Sequence, residues 1–246
     1  MHYMKTSLME ALSRKPRDYK AAFSRITKNM KLMFVHAFQS LLWNKAVSHR
    51  MESGPKDKPI AGDLVLIEDK SELQGGSGTS GLLGKEVKLV EAGNEEMYSI
   101  TDVVLPLGGS KIKYPTNSTG TFIDNLLKEY GLNRETFADM KGELSLGGDY
   151  RRVLVKPFDV DWTIKEYEKP TEPLIQTDLM KLHGVQLPCD NPPTEDNHSS
   201  LLGMIVGFTL PPSSYATIAL RELMKRPTHS EYQSGLHLEG RCEEKN

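Results

Sequence analysis

Cysteine is almost missing from this chain: Cys189 and Cys242 are the only two among 246 residues. They lie in polar segments without Cys-x-x-Cys spacing, a usage that fits a reducing compartment and builds no metal cluster. His36, His49 and His183 are likewise far apart and show no His-x-x-x-His pattern, so metal catalysis is not expected. No segment approaches the roughly 18 consecutive apolar residues that span a bilayer. The first ten residues, MHYMKTSLME, lack the apolar stretch and cleavage site of a secretory signal. An intracellular protein without membrane contact is therefore expected. A basic excess is lacking too. With 31 Lys and Arg against 33 Asp and Glu the formal net charge is -2, whereas most nucleic-acid-binding domains are clearly positive. No Gly-x-Ser-x-Gly elbow is present. The Gly/Ser-rich run at 74–81 lacks the Gly-Lys-Ser/Thr ending of a phosphate loop and reads as a surface loop.

What is present describes a globular protein, with 38% hydrophobic and 26% charged residues. The length allows one large or two modest domains. Basic residues gather at 14–31 and 221–226 and acids at 168–196, so a local positive face is compatible with the near-neutral total. A short amphipathic helix is expected over 17–27, with Asp18 near its start, and a longer one over about 31–51. In the longer helix Phe34, Ala37, Phe38, Leu41 and Leu42 form an apolar stripe, and Val35, Trp43 and Val47 extend it onto other faces. Gln39, Ser40 and Asn44 then need partners, either in the scaffold or on a substrate.

Short β-prone runs follow at 63–67, 86–90 and 101–105. A helix over 121–130 opens with Thr-x-x-Asp and stops at Gly131, burying Leu126 and Leu127; Asn133 caps another through 140. Strands are expected at 150–156 and 162–167, and mostly loop over 168–200. The run 203–210 is a short apolar strand of the kind that fills a sheet interior. Pro211 and Pro212 end it. Ser213 or Ser214 is placed to cap a helix over 213–225, which Pro227 stops, and the tail from Thr228 reads as disordered. Tyr215 stands at this strand-helix corner, either as a stacking surface for a base or as a core aromatic.

That corner, Phe-Thr-Leu-Pro-Pro-Ser-Ser-Tyr-Ala-Thr-Ile-Ala-Leu-Arg-Glu at 208–222, resembles the C-terminal signature of the TruD-type pseudouridine synthases, in its eukaryotic branch. Further blocks resemble the same family in family order. They are Leu-Met-Phe-Val-His-Ala-Phe-Gln-Ser-Leu-Leu-Trp-Asn at 32–44 with Ala-Val-Ser-His-Arg at 46–50, and Gly-Asp-Leu-Val-Leu at 62–66. Tyr-Ser-Ile-Thr-Asp-Val-Val-Leu-Pro at 98–106 comes next with Ile112, Tyr114 and Pro115. Gly-Asp-Tyr-Arg-Arg-Val-Leu-Val-Lys-Pro at 148–157 and Val-Asp-Trp at 160–162 complete the set.

The resemblance implies an α+β protein: part of a mixed-sheet catalytic domain, at 1–52 and 148–227, interrupted by an inserted TruD domain at 53–147, with a tail at 228–246. The first and last blocks are expected to pack together as one domain. It also implies an RNA substrate, a uridine in tRNA or another structured RNA isomerised to pseudouridine, no cofactor, and a nuclear or cytoplasmic location. Tyr215 falls where the family places an aromatic at the cleft. Arg221 matches the family's Ala-Thr-x-x-x-Arg-Glu pattern, and Arg151 matches an arginine on the strand that re-enters the catalytic domain. For both arginines a structural ion pair, such as Arg221 with Glu222, stands beside RNA contact.

One family feature is not found. The nucleophilic aspartate belongs to a Gly-Thr-Lys-Asp-Lys-like motif ahead of the helix at 32–50, and the thirty or so residues there contain no match. Gly-Pro-Lys-Asp-Lys at 54–58 copies the pattern but follows that helix, so Asp57 reads as a solvated turn residue. The chain is expected to be a C-terminal portion, without activity of its own and with the catalytic segment supplied by a longer product. The alternatives are a catalytically dead RNA-binding module and a non-RNA interaction protein that retains the fold.

Overall fold

The computed structural model describes residues 2–67, 86–139, 145–167, 172–185, 187, 201–232 and 235. The Gly/Ser run at 74–81 and both cysteines lie outside them. Two compact units are present, residues 1–155 and 156–246.

The first unit opens with helices α1 (His2–Arg14), α2 (Tyr19–Ser24) and α3 (Lys28–Ser53). α1 was not anticipated from the sequence. α2 starts as expected, because the Asp18 carboxylate accepts the Ala21 N–H at 3.0 Å and satisfies one of the orphan donors of the first turn. On α3 the buried row is Gln39, Leu42, Ala46 and Arg50, spaced three or four apart along one face. This corrects the anticipated stripe: Phe34 and Leu41 are 41% and 42% exposed.

β1 (Leu64–Ile67), β2 (Glu86–Leu89), β3 (Val103–Leu107) and β4 (Asp149–Arg152) form one antiparallel sheet in the order β2-β1-β3-β4. Residues 101–102, read as strand, instead belong to a 3-10 turn, Ile100–Asp102, held by a Ser99 and Asp102 capping box. α4 (Ser118–Glu129) and α5 (Arg134–Ala138) lie between β3 and β4 in the chain. α4 begins three residues earlier than expected, because its cap is Asn117, whose side chain accepts the Thr119 N–H, and not Thr121. Asn133 does cap α5, in a reciprocal box with Thr136. β4 shows that residues 149–152 share a sheet with β1–β3.

The core has α3 on one side of α4 and β3: Leu42, Ala46, Leu105, Ile123, Leu126, Leu127 and Phe137 pack together. Two further clusters lie on the sheet, one of Leu64, Leu66, Val87, Val104 and Tyr150 and the other of Val65, Val90, Ile100 and Val103. Alternation along β1 and β3 divides them, since successive strand side chains point to opposite faces. Within this apolar setting lies a charged pair. Arg50 and Asp63 are both fully buried, with Nη2 to Oδ2 at 2.8 Å. Nε reaches both Asp63 oxygens at 3.1 Å, and the carboxylate also accepts from Ile60 N and Asn117 Nδ2 at 3.0 and 2.8 Å. The pair is fully hydrogen-bonded, as a buried charge must be. Gly62 precedes Asp63 at φ +81, and a Cβ there would lie 2.8 Å from Thr116 Oγ1 and 2.9 Å from Asn117 N. Only glycine allows that approach.

The second unit contains β5 (Phe158–Tyr167), α6 (Asp178–Leu182), β6 (Leu201–Thr209) and α7 (Ala216–Met224). β5 and β6 form a two-stranded antiparallel sheet whose register shifts between Phe158 and Asp161. The expectation that β6 fills a sheet interior is corrected: among the described residues it has one partner strand, and Leu202 and Met204 are 63% and 54% exposed. Trp162 faces Val206 and Ile164 faces Met204 across the pair, so these side chains share one apolar face. Such a ribbon by itself has too little second layer to bury it.

Candidate nucleic-acid interface

In the first unit, Arg151 extends from β4 opposite Leu105 of β3 and carries its guanidinium carbon 5.2 Å from the Trp43 ring centroid on α3. This is cation–π geometry. Asn44 follows Trp43 and is exposed. The indole Nε1 of Trp43 is buried with no hydrogen-bond partner among the described residues, as is His49 Nε2. The His49 ring lies flat on Phe122 at 4.2 Å and 3°. The position of Gln39 favours the scaffold over a substrate. It is 4% exposed, its Nε2 donates to the Gly108 carbonyl at 2.5 Å, and its Oε1 lies 2.9 Å from His36 Nδ1.

Nearby, burial pushes the Tyr114 phenol up to about 12, against the opposing pull of the Arg134 guanidinium 4.3 Å from its ring. Its hydroxyl has no partner among the described residues. Arg134 is itself held by Asp124 at 2.6 and 2.8 Å. The Tyr150 phenol is also raised by burial, although its oxygen accepts the Lys113 N–H at 2.6 Å.

Asp57 is exposed in the bend that follows α3. What organises this bend is Arg50, which donates to the Pro55 and Lys58 carbonyls at 2.9 and 3.1 Å. The backbone is pinned while the carboxylate stays in solvent, an environment without the fixed donors that a nucleophilic site requires.

In the second unit, Tyr215 occupies the N-cap position of α7 in an extended conformation and is 59% exposed. Its carbonyl accepts from Ile218 N and Ala219 N at 3.0 and 3.2 Å. Neither serine caps the helix, contrary to expectation: Ser213 adopts φ 66, a left-handed turn that places the N-cap two residues later. Arg221 is exposed on α7, with Nη2 3.1 Å from Thr228 Oγ1. Glu222, the partner considered for it, bonds to Lys225 at 2.7 Å.

The candidate residues therefore divide between the units, Gln39, Asn44 and Arg151 in the first and Tyr215 and Arg221 in the second. Trp43 beneath Arg151 was missed as a participant. Its signal was an aromatic off the main apolar stripe of α3, directly beside a polar residue. No helix among the described residues is long and apolar enough to cross a membrane.

The mixture of helices and sheets is an α+β fold of the TruD type. It superposes on a TruD protein from Methanosarcina mazei with a TM-score of 0.60 at 23% identity, over 91% of this chain and 45% of that one. The family model of tRNA pseudouridine synthase D (TruD) matches residues 1–223, and the chain belongs to that family. It is 33% identical over 217 residues to Pseudouridylate synthase 7 homolog of Homo sapiens, across 88% of this chain and 30% of that protein. It is 31% identical over 242 residues to Multisubstrate pseudouridine synthase 7 of Schizosaccharomyces pombe, across 92% and 34%. The chain thus spans about a third of the length of these curated relatives.

Proposed function

We propose that this chain is the C-terminal portion of an RNA pseudouridine synthase that isomerises a uridine in tRNA or another structured RNA. The observation that carries this reading is the family match through residue 223, which takes in the Tyr215 corner and Arg221. The reaction breaks the bond between the ribose and the uracil nitrogen and rejoins the ribose to a ring carbon. The base must first leave its stack, at a cost of about a few kcal/mol that stacking inside the protein offsets. Tyr215 supplies that stacking surface. Arg221, Arg151 and Asn44 contact the RNA, and Gln39 supports them by holding α3 to the end of β3. The isomerisation needs no cofactor or metal. The nucleophilic aspartate comes from a segment outside these 246 residues.

Release of the hydrogen from C5 of labelled uridine in tRNA tests the reading. The purified 246-residue chain is expected to bind the RNA and release none, because binding does not replace a missing covalent nucleophile. A longer product with the aspartate motif is expected to release it. Turnover by the chain alone, abolished by Asp57→Ala, overturns the assignment of the nucleophile. RNA binding by a longer product that contains the motif but never turns over replaces the enzyme with an inactive RNA-binding module.

A further inference from the structure

At the C-terminal end of α7 the chain forms an open groove of about 490 Å³ whose lining includes Arg221, Glu222, Lys225, Arg226, Thr228 and His229. Three of these are permanent cations and one is an imidazole, against a single carboxylate, on a chain whose formal net charge is -2. One cation at a helix C-terminus is accounted for by the helix dipole. A sequence of cations running through the turn and beyond it exceeds what capping requires.

The local backbone adds a second observation. Lys225 takes φ 54 and ψ 29 at the helix end, with its N–H donating to the Arg221 carbonyl at 2.8 Å. That left-handed position ordinarily selects glycine, since any Cβ is disfavoured there. A lysine is held in it nonetheless, next to Arg226. An aromatic is interleaved with the charges: Arg226 Nη1 lies 2.9 Å from Tyr232 Oη, and the His229 and Tyr232 rings are 5.9 Å apart at 50°. Cations interleaved with an aromatic suit a flexible polyanion whose bases can stack. Lys225, Arg226 and His229 also lie beyond residue 223, where the family match ends.

Resting on the RNA reading above, we infer that this groove is a backbone-phosphate site for single-stranded RNA, formed by Lys225, Arg226 and His229 together with Arg221. It gives the chain an RNA contact beyond the family core.

The test measures the affinity of the full 246-residue chain for an oligouridylate over a range of salt, with Lys225→Gly and Arg226→Gln beside wild type. Lys225→Gly suits the left-handed position, so the melting temperature should hold or rise while affinity falls. Removing one phosphate contact lowers the slope of log K against log salt by about 0.7, which is about a 5-fold loss at 0.1 M salt. Wild-type slope and affinity in both variants overturn the site and leave the RNA reading intact. Absence of oligouridylate and tRNA binding by wild type overturns both. Polyglutamate binding with the same loss in Lys225→Gly also overturns the inference, and puts an acidic protein in the groove.

Discussion

Truncating Tyr215 separates a base-stacking residue from a packing residue, because the structure makes the two costs unequal. At 59% exposure the ring has less than half its surface against protein. A fully buried aromatic costs about 3–5 kcal/mol on truncation to alanine, cavity included. Here solvent fills the space, so the expected loss is about 1–2 kcal/mol at most. The helix cap survives as well, since the carbonyl and not the side chain of Tyr215 accepts from Ile218 and Ala219. Loss of a stacked base costs about 1–3 kcal/mol, or about 5- to 150-fold in affinity. Fluorescence anisotropy with a uridine-containing oligonucleotide and thermal melting of the same samples decide the matter. Tyr215→Phe should bind nearly as wild type because the ring face remains, and Tyr215→Ala should lose affinity with a fall in melting temperature of at most about 2–8 °C. If Tyr215→Ala binds as well as wild type, or loses affinity only in step with folded protein, the stacking role is refuted.

The Arg50–Asp63 pair predicts a stability effect, because breaking a fully buried ion pair strands the remaining charge. Asp63→Asn is expected to cost about 3–5 kcal/mol, or about 6–20 °C in melting temperature for a protein of this size. Joint replacement by Arg50→Met and Asp63→Leu should not recover it, because the Pro55 and Lys58 carbonyls, Ile60 N and Asn117 Nδ2 then lose their partners. Single variants within about 1 kcal/mol of wild type count against the network. Tyr114 predicts a pH effect. Its folded pKa is about 12, whereas the unfolded phenol titrates near 10. Between those values the unfolded chain has lost a proton that the folded chain keeps, so stability falls as pH rises, by on the order of 3 kcal/mol at most. Tyr114→Phe should flatten the denaturation midpoint between about pH 10 and 12 at little cost near neutrality, since the buried hydroxyl it removes makes no bond among the described residues. An unchanged alkaline slope refutes the assignment to Tyr114.

How much of this was visible in the chain depends on whether the interaction is local. α4 was legible because Leu126 and Leu127 form a buried apolar pair on it and Gly131, at φ +69, ends the run. Its true start was hidden: Asn117 caps the helix ahead of Ser118, Thr119 and Gly120, three weak helix formers that read as loop. α3 was legible in extent but not in orientation. Its buried row contains Gln39 and Arg50, whose partners Gly108 and Asp63 lie just after β3 and just before β1, and periodicity of apolar residues does not reveal a polar group with a distant partner. For β6 the run of apolar residues correctly announced a strand, yet nothing in a run states how many strands will flank it. The Arg151–Trp43 contact was unreadable for the same reason, since β4 and α3 are joined only through the fold.

Burial also ranks the candidate residues by what they are able to do. The amide of Gln39 is already committed at both ends to protein atoms, so contact with RNA would require breaking two bonds, the one to Gly108 buried and the one to His36 half-buried. Each would have to be replaced at no loss, since a buried polar group left unpaired costs about 1–3 kcal/mol. Arg151 carries its guanidinium carbon 5.2 Å from the Trp43 ring centroid, within cation–π range. The N–H donors lie in the plane of that group, at its edge, and stacking on a ring is compatible with bidentate bonding to a phosphate. A planar, pre-organised fork also loses less side-chain freedom per hydrogen bond formed than a lysine would, which favours an arginine as an RNA contact. Arg151→Lys is therefore not conservative here: it keeps the charge, loses the fork and weakens the stack. If Arg151 contacts phosphate through that fork, the lysine variant should lose RNA affinity while retaining most of the salt dependence. If Arg151 only braces β4 against α3, the loss should appear in melting temperature and not in affinity.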